Sequence, residues 1–250
     1  MLTIVVVLGG LVYQRVTTPS YPLDVERIHE GRTIRASLGR SHFGAEDQRI
    51  VIEGTPPEWE GELLWRNVAE GGAYQHAPLR NLGAMTIASI PNQPRGQRVE
   101  YRIEFVIDEG LLRIPRLGTV ITRFKGETPS WVVVGHVLLI YCALLFGTRA
   151  GLDAVNLGAR GPFYAKLSLL SFILGGFLFG PLLKWYAYGR LWGGPPLGAD
   201  STDMKTLALV VAWTLPVVFR SIGRPARPWI LLASLLGILA FLMPHTMLSQ

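Results

Sequence analysis

GTVITRFKGETPSWVVVGHVLLIYCALLFGTRA, from Gly118 to Ala150, holds the decisive change of pattern in this chain. Its opening residues, Gly118–Phe124, carry the short apolar–polar alternation of a strand with one dry and one wet face. Pro129 removes a backbone donor, and Trp131–Thr148 follows as an apolar run without Asp, Glu, Lys or Arg. As a helix that run rises about 27 Å, close to the ~30 Å hydrocarbon core of a bilayer. One chain therefore carries a β-rich part and a membrane part, joined within a few residues.

Upstream, the period-two pattern recurs between Gly, Pro and Asn punctuation. The clearest case is Val99, Tyr101, Ile103, Phe105 and Ile107, interleaved with Glu100, Arg102 and Glu104. Thr33–Leu38, Arg49–Glu53, Glu62–Val68, Ala84–Ile90 and Leu111–Ile114 read the same way, with Asp108-Glu109-Gly110 as a turn. Such spacing predicts an immunoglobulin- or fibronectin-like sandwich over residues 18–128. Trp59 and Trp65 read as its core or edge. Residues 1–17 open with an apolar run, Met1–Tyr13, reaching about 20 Å as a helix. No Lys or Arg precedes that run and no small-residue cleavage site follows, so the expectation is a short uncleaved anchor; the alternative is a span whose first residues are missing.

Downstream, residues 129–250 predict a four-helix membrane domain. Its spans lie near 131–148, 163–183, 206–219 and 229–243. The last two have short apolar cores and must recruit flanking residues or sit in thinned lipid. The loops set the orientation. Arg149, Arg160, Lys166, Arg220, Arg224 and Arg227 share one side with Asp153, while Lys184, Arg190 and Lys205 share the other with Asp200 and Asp203. The more basic side reads as cytoplasmic, which places the sandwich outside, in the periplasm of a bacterial inner membrane.

The net charge of +6 resides wholly in the second half, because residues 14–128 balance 15 Lys/Arg with 15 Asp/Glu. The excess base is distributed over short membrane loops, so a nucleic-acid-binding face is not expected. The lone cysteine, Cys142, forms no intramolecular disulfide and no thiolate cluster.

KWYAYGRLWGGPPLGADSTDMKT, Lys184 to Thr206, resembles a loop of uncharacterised bacterial membrane proteins. In that group a Lys-Tyr-Ala-aromatic-Gly run leads through Trp, Pro and Gly to Asp-x-Thr-Asp-x-Lys-Thr. Lys184, Tyr186, Ala187, Gly189, Trp192, Gly198, Asp200, Thr202, Asp203, Lys205 and Thr206 match, and Met204 replaces a polar residue. His136, Arg149-Ala150-Gly151 and Pro244-His245 extend the likeness over much of the membrane part. The resemblance implies an N-terminal anchor, an extracytoplasmic immunoglobulin-like domain and four transmembrane helices, and no activity.

Two constellations could carry chemistry. His136, just inside the first span, and His245, at the end of the fourth, are candidate ligands for a haem or a chlorin pigment. Asp200 and Asp203 on the same side are candidate ligands for a divalent metal. The competing readings are structural: His136 bonding between helices, an aspartate capping the third span, Lys184 and Lys205 snorkelling. Hydrolase, zincin, P-loop and dinucleotide signatures are missing. The expectation is a non-catalytic accessory or assembly subunit of a larger bacterial membrane complex, with respiratory and photosynthetic complexes among the candidate hosts, and with the bilayer, other membrane subunits and an extracytoplasmic protein as partners. The alternative is an electron-transfer component using His136 and His245.

Overall fold

The computed structural model describes residues 2–17, 21–108 and 110–243, so Glu109 and His245 lie outside the described residues. The chain divides into two compact units. One comprises residues 19–127 with 187–189, the other residues 1–18, 128–186 and 190–250.

The β unit has two sheets. Strands β1 (Leu23–His29), β2 (Arg32–Leu38), β3 (Ser41–Phe43), β4 (Gln48–Glu53), β5 (Glu60–Asn67), β6 (Gln75–Pro78), β7 (Arg80–Asn81), β8 (Met85–Ile90), β9 (Arg98–Ile107), β10 (Gly110–Ile114) and β11 (Val120–Lys125) follow in order. One sheet runs β1-β2-β4-β8-β7 and the other β3-β11-β9-β5-β6, with β10 also on β9. Ile34, Ile52, Ile90, Leu63, Ile103 and Phe105, drawn from both sheets, share one buried core. Period two is the cause: along β9 Val99, Tyr101, Ile103 and Phe105 point inward. Tyr101 carries its hydroxyl into this core and donates it to Gly39 O at 2.9 Å, while burial pushes its ionisation upward. Trp65 is buried, and Trp59 packs on Phe105 at 5.5 Å.

All seven strands expected from alternation are present. The four extra ones are edge or very short strands. In β1 the inward positions include Arg27 and His29, which breaks the apolar period, and β7 is only two residues long.

The helical unit contains α1 (Leu2–Thr17), α2 (Ser130–Val155), α3 (Gly161–Phe172), a π-helical segment (Ile173–Phe179), α4 (Gly180–Tyr188), α5 (Ser201–Ser221) and α6 (Arg227–Leu242). Three helical stretches are long and apolar enough to cross a membrane: Ser130–Val155, Gly161–Tyr188 and Ser201–Ser221. These and the two sheets describe a membrane protein with a β-rich domain. Thr3–Tyr13 and Arg227–Leu242 are apolar but shorter. The third span exceeds its apolar core because Asp200 caps it and Ser201–Lys205 form a polar first turn.

Small residues govern the packing of this unit. Ala143, Ala150, Ala165, Ala212 and Ala233 surround Phe172 and Trp213 in the core. Gly147 leaves room for the Trp213 ring, and Gly176 lies where a Cβ would strike Thr206 of α5. Gly176 thus lets α5 approach the π segment closely.

Candidate functional site

The candidate site lies where α4 ends and α5 begins. Lys184, on α4, is buried to 7% exposure, so snorkelling does not describe it. Its Nζ stands 2.8 Å from Asp200 Oδ1 and 2.6 Å from Asp203 Oδ1. Both are close ionic contacts whose angles depart from a directed hydrogen bond. Arg190 Nη2 reaches Asp200 Oδ2 at 3.2 Å, so two cations balance two carboxylates.

The second oxygen of Asp203 is also engaged. Oδ2 accepts the N–H groups of Gly193 at 2.7 Å and Gly194 at 3.0 Å. Asp200 Oδ1 caps α5 through the N–H groups of Thr202 and Asp203, at 3.0 and 3.3 Å. Trp192 stacks on Phe177 of the π segment, centroids 5.4 Å apart and planes inclined by 15°. Glycine at 194 is a steric requirement, since a Cβ there would lie 2.6 Å from the Asp203 Cβ. The motif that links Lys184 to Thr206 is therefore a clasp: Asp203 holds the loop, Asp200 starts the helix, and Lys184 neutralises both.

Asp200 and Asp203 are brought together, with the Lys184 ammonium where a bound cation would stand. Among the described residues no three His, Cys, Asp or Glu converge as a metal centre. His136 takes a different place. Its Nδ1 lies 2.9 Å from Gly175 O, which also accepts Gly180 N–H across the π turn. A carbonyl can only accept, so Nδ1 carries the proton and the lone pair of a neutral ring sits on Nε2. The sequence alone did not disclose this π turn; the glycine pair Gly175-Gly176 was its sole trace.

No family model matches the chain, and no curated protein is similar to it.

Elsewhere, the β unit has a shallow cleft of about 460 Å³ lined by Arg32, Thr33, Thr55 and Pro57 among others, with no carboxylate, histidine or thiol in its wall among the described residues. On the outer face of β5 and β9 the Tyr74 ring lies between the guanidinium groups of Arg66 and Arg102, at 4.5 and 4.8 Å. Tyr74 donates its hydroxyl to Glu100, which also pairs with Arg66. Burial alone would raise the Glu100 pKa, but these bonds outweigh it and hold the carboxylate below its ordinary value. The group is a self-neutralising surface zipper.

Asp200 behaves similarly. Burial raises its pKa, while the Lys184 ammonium and two backbone amides outweigh that and keep it below the ordinary aspartate value. A depressed carboxylate stabilises the fold above its unfolded pKa and loses that contribution as pH falls through the folded value. The thermal-midpoint difference between the wild type and Asp200→Asn should therefore be full at pH 7. It should persist as pH falls toward the ordinary aspartate pKa, and close only below it. A difference that vanishes above pH 5 would show that Asp200 is not held ionised by Lys184.

Proposed function

We propose that the chain is a non-catalytic accessory or assembly subunit of a larger bacterial membrane complex. Respiratory and photosynthetic complexes are candidate hosts. The β-sandwich, immunoglobulin-like in class, serves as the extracytoplasmic interaction module. The observation that carries this reading is the clasp: the buried charges of the membrane part are engaged with one another and with the backbone, and they fix residues 190–200 in one shape. A fixed loop between two membrane helices suits docking rather than turnover. Support also comes from the spans, where only 28% of the residues in each apolar window are buried, leaving wide faces for lipid or neighbouring subunits.

Purified from its own membrane in mild detergent, the chain should elute with the same membrane subunits at fixed stoichiometry. Elution alone, at the mass of a 27.6 kDa chain plus its detergent, would refute the proposal.

In this reading α6 is a fourth span and α1 an uncleaved anchor, so the six cations flanking α2, α3, α5 and α6 face the cytoplasm. In a Cys142→Ala background, an impermeant thiol reagent applied to intact spheroplasts should label Glu70→Cys and spare Val155→Cys. The reverse pattern would invert the topology.

One observation favours a second reading. A histidine whose Nδ1–H is fixed by a backbone carbonyl presents Nε2 in the arrangement common to metal-ligating imidazoles. His136 would then hold a haem, a chlorin pigment or a metal ion in an electron-transfer component, with His245 as the second expected ligand.

A further inference from the structure

The two ends of the helical unit differ in how their cations are compensated. At the clasp end Lys184 and Arg190 face Asp200 and Asp203, and Lys205 Nζ donates to Met243 O at 3.0 Å. The other end is formed by the C-termini of α2 and α5 and the N-termini of α3 and α6. It is tied by Gly161 N–H donating to Asp153 Oδ2 at 2.5 Å and Arg227 Nε donating to Ala154 O at 2.8 Å, with the Phe219 and Trp229 rings 4.8 Å apart. Arg149, Arg160, Lys166, Arg220, Arg224 and Arg227 all lie exposed there. Among the described residues none of the six forms an ion pair, and the one acid of this end, Asp153, is turned toward the Gly161 amide. Arg149 lies over the Tyr164 ring at 5.6 Å and Arg227 serves Ala154, which leaves Arg160, Lys166, Arg220 and Arg224 without an acceptor among the described residues.

We propose that this end binds the phosphate headgroup of an anionic phospholipid. The phosphate attracts these cations by charge, and it supplies the counter-charge that they do not find among the described residues. The surrounding surface selects a lipid over a free anion or a nucleic acid. Val155, Leu157, Phe163 and Ile222 are exposed beside these cations, at 60, 74, 59 and 60%, and offer apolar surface to acyl chains. The proposal depends neither on the accessory role nor on which leaflet this end faces.

The test uses the full chain in an uncharged detergent, with its thermal midpoint followed by tryptophan fluorescence. Dioctanoyl phosphatidylglycerol should raise the midpoint saturably, whereas dioctanoyl phosphatidylcholine and inorganic phosphate at equal concentration should not. The Arg160→Gln/Arg220→Gln/Arg224→Gln variant should need on the order of a hundredfold more phosphatidylglycerol, at roughly fivefold per cation near an anionic headgroup. The matching triple lysine variant should recover most of that affinity, and it carries the test if the glutamine variant is itself less stable. Equal stabilisation by phosphatidylcholine, or unchanged affinity in the glutamine variant, would overturn the proposal. A lysine variant as weak as the glutamine one would also overturn it. Equal stabilisation by inorganic phosphate would reduce the site to a free-anion site and overturn the lipid assignment.

Discussion

Replacing Asp203 by alanine is expected to destabilise the protein by about 3–5 kcal/mol, because breaking a buried ion pair leaves an uncompensated charge behind. The Lys184 ammonium, at 7% exposure, would keep only Asp200, and the N–H groups of Gly193 and Gly194 would lose their acceptor. The pair itself contributes little net stability, since the desolvation of both charges roughly offsets their attraction. A Lys184→Met/Asp203→Leu double variant should therefore be more stable than Asp203→Ala. Thermal unfolding in detergent measures both. A loss below about 1 kcal/mol for Asp203→Ala, the range of exposed pairs, would mean that the clasp is solvated. The double variant should also release Trp192 from Phe177, because the apolar pair replaces the charge but not the acceptor for Gly193 and Gly194. Stability and loop placement are thus separable properties of one carboxylate.

Phe105→Ala should cost the β unit a comparable 3–5 kcal/mol, the usual range for removing a buried phenyl ring from a close-packed core. Phe105 is fully buried between the sheets and supports Trp59 at 5.5 Å. Its neighbour Val106 points the other way and is 64% exposed, so Val106→Ala should stay within about 0.5 kcal/mol of the wild type. Chemical denaturation followed by near-ultraviolet circular dichroism compares the two. Similar losses at both positions would contradict the register that pairs Phe105 with Gly61 and Val106 with Glu60.

Much of the β unit was legible because one residue in two along β9 is apolar and its neighbours are charged, a pattern that only a half-buried strand explains. β1 escaped notice for the converse reason: Arg27 and His29 occupy inward positions at an edge where water is near. A cap on the third span by one of the two aspartates was recognisable from their place around Ser201-Thr202, and the structure gives that role to Asp200. The role of Asp203 was not recognisable, because its partners Lys184, Gly193 and Gly194 come from 9 to 19 positions upstream, and the register between α4 and α5 depends on their packing. Read in sequence, two aspartates near a membrane surface suggest a metal. Folded, they enclose a lysine that sequence spacing presented as a snorkelling side chain. His136 illustrates a third limit. Its acceptor is a carbonyl that also closes a π turn, and backbone geometry of that kind leaves no side-chain signature beyond a pair of glycines.

Metal content per chain distinguishes most directly between an ammonium and a metal ion as the counter-charge of Asp200 and Asp203, and it bears equally on His136. The full chain would be purified in mild detergent without chelators, and iron, magnesium, calcium and zinc quantified, so that haem and chlorin are counted with free divalent ions. With Lys184 Nζ at 2.8 and 2.6 Å from the two carboxylates, the aspartate pair should hold no divalent ion, and the accessory-subunit reading expects no haem or chlorin on His136, so none of these metals should approach one equivalent. A full equivalent of any of them, lost in Asp203→Asn or in His136→Ala, would contradict the account.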